Sequence, residues 1–311
     1  MKYIHIYNTK SEYNAISEKE HYDMSLIRNE DNRVIFLRNY YKEYFTIEIT
    51  RAGYFTVVPA IDPKSTLSSI DASIALTISY SLNEGEWIST TLLTSGLTLE
   101  VSVGDTIRFK GNNTNYCNNI PNSHKDGPHR LWYVVFGCIQ NDGDVYKQTF
   151  TSTTARFKAY GNIMSLIYGD NFIGQTILTA TYTFCQLFKT SGIVSAEHLI
   201  LPAMTLTDSC YRAMFSKAYR LQISPTFPAK NLTTECYKYM FENCTNLKKI
   251  TCLAETNIDT TDSGSVNCFT STSSGTSLQA HGVFIKSANA TDWTTGKNGI
   301  PSGWTIENYI E

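Results

Sequence analysis

Leu206-Thr207-Asp208-Ser209-Cys210-Tyr211-Arg212-Ala213-Met214-Phe215 is echoed 26 residues later by Leu232-Thr233-Thr234-Glu235-Cys236-Tyr237-Lys238-Tyr239-Met240-Phe241. Leu201, Phe227 and Leu253 keep the same offset, as do Leu221 and Leu247, and a degenerate upstream copy contains Cys185-Gln186-Leu187-Phe188. Thr207 or Thr233 stands where a helix cap would satisfy the first unpaired amides. Cys210 and Met214 then share a face at i,i+4, as do Tyr211 and Phe215. Cys236 and Met240 repeat the pattern, with Cys244 one turn further. The spacing predicts a short helix, then a short strand over Leu247-Lys248-Lys249-Ile250, with Pro225 and Pro228 punctuating the return loop.

One such unit cannot bury its own apolar face; stacking neighbours closes it, and the two ends need caps. A period of 26 falls in the range of leucine-rich repeats. Residues 159–258 are therefore read as a short solenoid whose repeat core is Cys210, Met214, Phe215, Leu221, Cys236, Met240, Phe241 and Leu247. Residues 259–311 are read as a C-terminal cap: a polar run from Thr260 to Ser277, a strand at Gly282-Val283-Phe284-Ile285, then Trp293, Pro301 and Trp304 as an apolar lid.

Upstream, residues 41–158 read as all-β. Tyr44–Ile49, Tyr54–Val58, Ile74–Leu82, Leu97–Val103, Thr106–Lys110, Leu131–Ile139 and Phe150–Phe157 are short β-branched or aromatic runs. Asn83-Glu84-Gly85-Glu86 and Gly104-Asp105 separate them as turns. Seven such strands predict a sandwich or jelly roll. Gly111 to Arg130 reads as a long loop and a candidate contact surface, with Asn115, Tyr116, His124 and His129 as its contact residues. Residues 1–40 form a docking segment too small to own a core: an edge strand over Lys2–Tyr7, a short helix opening at Ser11, and a hairpin pairing Met24–Ile27 with Val34–Leu37. The fold class expected is mainly β with short helices.

The 311 residues suffice for two or three domains, and 42% apolar residues suffice for a packed core. Net charge is −2 with no Lys/Arg cluster, so neither nucleic acid nor membrane insertion is expected. The opening Met1-Lys2-Tyr3-Ile4-His5-Ile6-Tyr7-Asn8 lacks a long apolar segment and a small-residue cleavage site. It is read as no signal peptide, with synthesis in the cytosol. Eight cysteines include no CxxC pair, and reduced core thiols are expected. Asn112, Asn231, Asn243 and Asn289 open Asn-x-Ser/Thr sequons, but without export no glycosylation is expected.

Catalytic signatures are sparse. Cys210 and Cys236 each sit where a helix N-terminus would lower a thiol pKa. Their shared repeat phase on an apolar face argues for packing instead. Cys117, His124 and His129 match no strong metal-ligand spacing, and a solvated loop is preferred. No paired carboxylates stand out as a glycosidase would require. Trp87, Trp132, Trp293 and Trp304 are read as core or lid residues, with stacking on sugars as the alternative. No catalytic residue, metal or cofactor is assigned.

The repeated Cys-Tyr-x-x-Met-Phe, followed by Asn243-Cys244-Thr245-Asn246-Leu247, resembles BspA-like leucine-rich-repeat proteins of gut anaerobes and their phages. Ile300-Pro301-Ser302-Gly303-Trp304-Thr305-Ile306, Tyr80-Ser81-Leu82-Asn83-Glu84-Gly85-Glu86-Trp87 and Gly161-Asn162-Ile163-Met164-Ser165-Leu166 extend the resemblance over residues 44–311. It implies binding through a rigid scaffold, by a bacterial surface adhesin or a virion component. The unsignalled N-terminus tips the expectation toward a non-enzymatic virion protein: a capsid decoration, head fibre or tail-associated protein. Expected partners are other virion proteins through residues 1–40, a host surface glycan or protein, and further copies in a homo-oligomer. A cell-surface adhesin is the alternative, and a glycan-active enzyme the third reading.

Overall fold

The computed structural model describes residues 4–7, 24–28, 34–61, 76–93, 96–119, 130–139, 154–258, 281–296 and 299–310. The helix expected at Ser11, the run from Thr260 to Ser277 and Cys268 lie outside them. β1 (Ile4–Tyr7) pairs in parallel with β2 (Met24–Arg28), and β2 pairs antiparallel with β3 (Val34–Arg38), so β1 is an edge strand and the expected hairpin forms.

Alternating apolar residues then build two sheets. One has the order β10 (Cys117–Asn119), β11 (Arg130–Phe136), β5 (Gly53–Ile61), β8 (Leu97–Val101). The other begins β7 (Ile88–Leu92), β6 (Leu76–Leu82), β9 (Thr106–Gly111), β4 (Phe45–Arg51), β12 (Arg156–Asn162), all antiparallel. Their inner faces meet: Phe45 of β4 packs on Phe136 of β11 at 5.4 Å, and Phe55 of β5 on Phe157 of β12 at 5.3 Å. The expected turn after β6 is present, with Asn83 and Glu84 both at positive φ (50° and 59°), a pair that suits the twist of a tight hairpin.

β12 is the pivot of the molecule. It is antiparallel to β4 on one side and parallel to β13 (Ile193–Ile200) on the other. β14 (Ile223–Phe227), β15 (Lys249–Cys252), β16 (Val283–Lys286) and β17 (Thr305–Asn308) follow, each parallel to the last. The result is one ten-stranded sheet from β7 to β17. It passes without a break through position 158, where β12 itself lies. A single buried cluster, from Phe45 through Phe215 to Trp304, runs beneath it.

The helices expected in the repeats do not form. Among the described residues the one α-helix is α1 (Ser165–Tyr168). Residues 207–218 and 233–244 instead form a spiral of turns in which every fourth residue has positive φ: Ser209, Ala213 and Lys217, then Glu235, Tyr239 and Asn243. Half of the amides donate three residues back, as from Arg212 to Ser209 and Met214 to Tyr211. The amides between them donate across to the next coil: Tyr211 to the Cys236 carbonyl (3.1 Å), Ala213 to Lys238 (2.8 Å), Phe215 to Met240 (3.1 Å). An α-helix would spend every amide within itself. Here alternate amides zip each coil to its neighbour, which offsets the cost of left-handed backbone at non-glycine residues. The four-residue recurrence of the spiral is what imitates the i,i+4 spacing of a helix.

Aromatic side chains stack through these coils. Phe184 lies on Tyr211 (5.7 Å, 16°) and Phe188 on Phe215 (5.4 Å, 4°), which in turn lies on Phe241 (5.7 Å, 12°). This register places the degenerate copy: Phe188 takes the place of Phe215 and Thr183 that of Cys210. Cys185 belongs to a separate cluster with Ala60, Cys117, Tyr133 and Val135.

Candidate binding surface

The segment Gly161–Ser165 fixes the surface around it. Gly161 has φ +78°, and a Cβ there would run into the Tyr44 carbonyl. Fully buried Asn162 donates from Nδ2 to the Tyr41 carbonyl (3.1 Å) and accepts from the Met164 amide (3.0 Å). The buried Ser165 hydroxyl donates to the Phe109 carbonyl (2.8 Å) and accepts from the Phe45 amide (3.0 Å). These bonds tie β4, β9 and β12 to the 3-10 turn Tyr40–Lys42, which lies over the outer face of the sheet where β12 meets β13.

On that face Tyr40 stacks flat on His198 (4.5 Å, 9°) and meets Tyr160 edge-on (5.4 Å). Half-burial holds the His198 imidazole below its ordinary pKa, while Glu197 pulls it partly back. Beside the turn is a cleft of about 350 Å³, lined by Tyr41, Glu197, Leu199, Met204, Thr226 and Pro228. Its volume is in the range of small-ligand sites. Glu197 pairs with Lys249 (3.3 Å) at the rim, and Lys158 with Glu48 (3.8 Å) further along the same face. A mostly apolar cleft with a paired carboxylate, hydroxyls and a tyrosine suits holding a side chain or small molecule.

A second patch lies on the β4–β9 side. Trp87, half-buried, carries the Lys110 ammonium over its ring at 4.4 Å and meets Tyr44 edge-on at 4.9 Å. Asp170 accepts from Lys110 (2.8 Å) and from the Tyr44 hydroxyl (2.7 Å), which holds its carboxyl below the usual range. Burial, then Asp170, pushes the Tyr44 hydroxyl up to about 12.

Of the residues singled out in the sequence, Cys210, Met214, Phe215, Leu221, Cys236, Met240, Phe241 and Leu247 are all buried together in the main core. Burial raises the Cys210 thiol well above its ordinary value and the Cys236 thiol to about 12. Among the described residues no helix N-terminus stands beside either to lower it. Trp132, Trp293 and Trp304 are buried.

The contact loop needs correction. Residues 117–119 are strand β10, not loop, and Cys117 is buried. Tyr116 is fully buried, and its hydroxyl donates to the Leu166 carbonyl (2.9 Å). Its amide donates to the Thr183 carbonyl (2.8 Å) and its ring stacks with Phe184 (6.3 Å, 19°). Phe184 makes the same pair of contacts to Cys210 and Tyr211. Tyr116 is thus the first rung of the aromatic ladder, supplied from outside the repeats. In the second row Phe136 supplies the amide alone, donating to Leu187 (2.8 Å) as Phe188 donates to Met214 (2.8 Å). Asn115 is half-buried, and His124 and His129 lie outside the described residues.

The cleft residues Tyr41, Glu197 and Thr226 carried no signal in the sequence, since a cleft between a turn and a sheet face is non-local. Compared with family models, curated proteins and solved structures, the chain matches none.

Proposed function

We propose that this chain is a non-enzymatic display protein of a virus particle, a capsid decoration, head fibre or tail-associated protein. In this reading the three-stranded N-terminal unit faces the particle and the ten-stranded sheet offers the Tyr40–His198 face outward. The finer fold reading, a β-sandwich continued by a leucine-rich-repeat solenoid, belongs to the same proposal. The observation that carries it is the uninterrupted sheet from β7 to β17, locked on its other side by amides passed from coil to coil. Such a scaffold holds side chains at fixed spacing, which is what display requires. The resemblance of the repeats to BspA-like proteins supplies the virion setting. The buried thiols support packing, not nucleophilic chemistry, at Cys210 and Cys236.

Mass spectrometry of purified particles tests the reading. The protein should copurify with particles and resist a salt wash. Recovery only as a free protein would overturn it, and recovery on intact bacterial cells would favour the adhesin instead.

A further inference from the structure

Among the described residues, no strand pairs with the outer edge of β17. All four of its residues are exposed; Ile306 (46%) and Ile310 (90%) expose apolar surface on one face of the extended segment and Tyr309 (41%) on the other. The Thr305 and Tyr309 amides donate inward, to the Gly282 (2.9 Å) and Lys286 (2.7 Å) carbonyls of the neighbouring chain segment. The ladder therefore continues through Tyr309. By the alternation of an extended strand, the backbone groups of Ile306, Asn308 and Ile310 point away from the sheet. Ile306 lies beside Phe284 in the register, on the side where Phe284 meets Trp293 (5.0 Å). The apolar interior thus continues to this edge and stops there.

We propose that this edge is the docking surface for a second copy of the same chain, joined antiparallel about a dyad at Asn308. The segment Ile306-Glu307-Asn308-Tyr309-Ile310 reads almost the same in both directions. Paired with itself about Asn308, it sets Ile306 against Ile310 of the second copy, Glu307 against Tyr309, and Asn308 against Asn308. Every exposed apolar residue of the edge gains a partner, and the outward backbone groups pair. A dyad at Glu307 would set two carboxylates directly opposite each other, which is unfavourable. A dyad at Ile306 would need the amide of Trp304, which already donates to Pro301 (3.2 Å), and would leave Ile310 beyond the pairing. The self-complementary register is what selects a second copy over an unrelated strand. An unpaired apolar edge is otherwise an aggregation hazard, and a dyad closes it. The two sheets would become one of twenty strands with a continuous apolar side.

Sedimentation of the full chain across roughly 1–300 μM tests the proposal. So short a contact predicts association near the micromolar range. The mass should rise from the 35.0 kDa monomer toward twice that value. Asn308→Pro removes an outward amide without touching the inward ladder. Ile310→Asp, at a side chain too exposed to carry the fold, removes an apolar pairing. Each should weaken association at least about tenfold with the melting temperature unchanged, and Ile310→Asp decides if Asn308→Pro misfolds. Ile88→Asp, on the opposite edge strand, should leave the dimer intact. A monomer at every concentration, the edge being left to some other protein, overturns the proposal. So does a dimer insensitive to Ile310→Asp.

Discussion

The coils from Leu178 to Cys252 and the antiparallel region from Phe45 to Asn162 share one buried core, yet they assemble it differently. In the spirals of turns, buried rings rest on rings 26 or 27 positions away: Phe184 on Tyr211, Phe215 on Phe241. In the antiparallel region, neighbours come from scattered places; Phe45 touches Phe109, Phe136 and Phe188. The first arrangement repeats one solution, and the second solves each contact separately. They meet because the antiparallel region imitates a coil, with Tyr116 contributing a ring and an amide and Phe136 an amide, as the repeats do further on.

If the two regions are one cooperative unit, alkali should unfold them together, which is the largest effect expected. Tyr211, Tyr237 and Tyr116 are buried, and burial raises all three hydroxyls; Tyr44 is raised to about 12. A folded-state pKa above the unfolded value of about 10 means that stability is complete below pH ~10 and lost as pH rises beyond it. Phenolate absorbance and far-ultraviolet circular dichroism should therefore change in a single step above pH ~10. Two separated steps would show that the regions unfold independently.

Phe215→Ala probes the repeating side. Phe215 is fully buried between Phe188 and Phe241, and the cavity should cost about 3–5 kcal/mol by urea denaturation. A loss much below that would mean the coils close over a missing ring and are looser than the antiparallel region. Lys158→Ala should do least. Lys158 is about half-exposed, 3.8 Å from Glu48, and such pairs contribute about 0–1 kcal/mol. A larger loss in the same measurement would place the outer face of β12, and not the core alone, at the heart of the junction.

The two regions were also unequally legible. Cys210, Tyr211, Met214 and Phe215 declare themselves because the next coil restates them, and a restated residue type implies a restated environment. Alternation revealed most strands of the antiparallel region, and Asn83–Glu84 revealed its turn. It could not reveal that Tyr116, within an Asn- and Gly-rich stretch, would be the first rung of a ladder whose other rungs lie at Phe184, Tyr211 and Tyr237. Partners so distant leave no local pattern. The spiral of turns was misread as helix because Ser209, Ala213 and Lys217 are ordinary residues where left-handed backbone would usually announce itself with glycine. The cleft beside Tyr41 was invisible for the same reason as Tyr116.

Because the coil 207–218 receives one row of amide donors and passes on a matching row, the stack has no built-in length. Another 26 residues could be spliced in after Asn231 and both ends would still find the surfaces they now meet. Each insertion would move the far end outward by one strand spacing, about 4.8 Å. The molecule is in this sense a ruler whose graduations are written in the sequence, and related chains could adjust their reach in discrete steps without redesigning either tip.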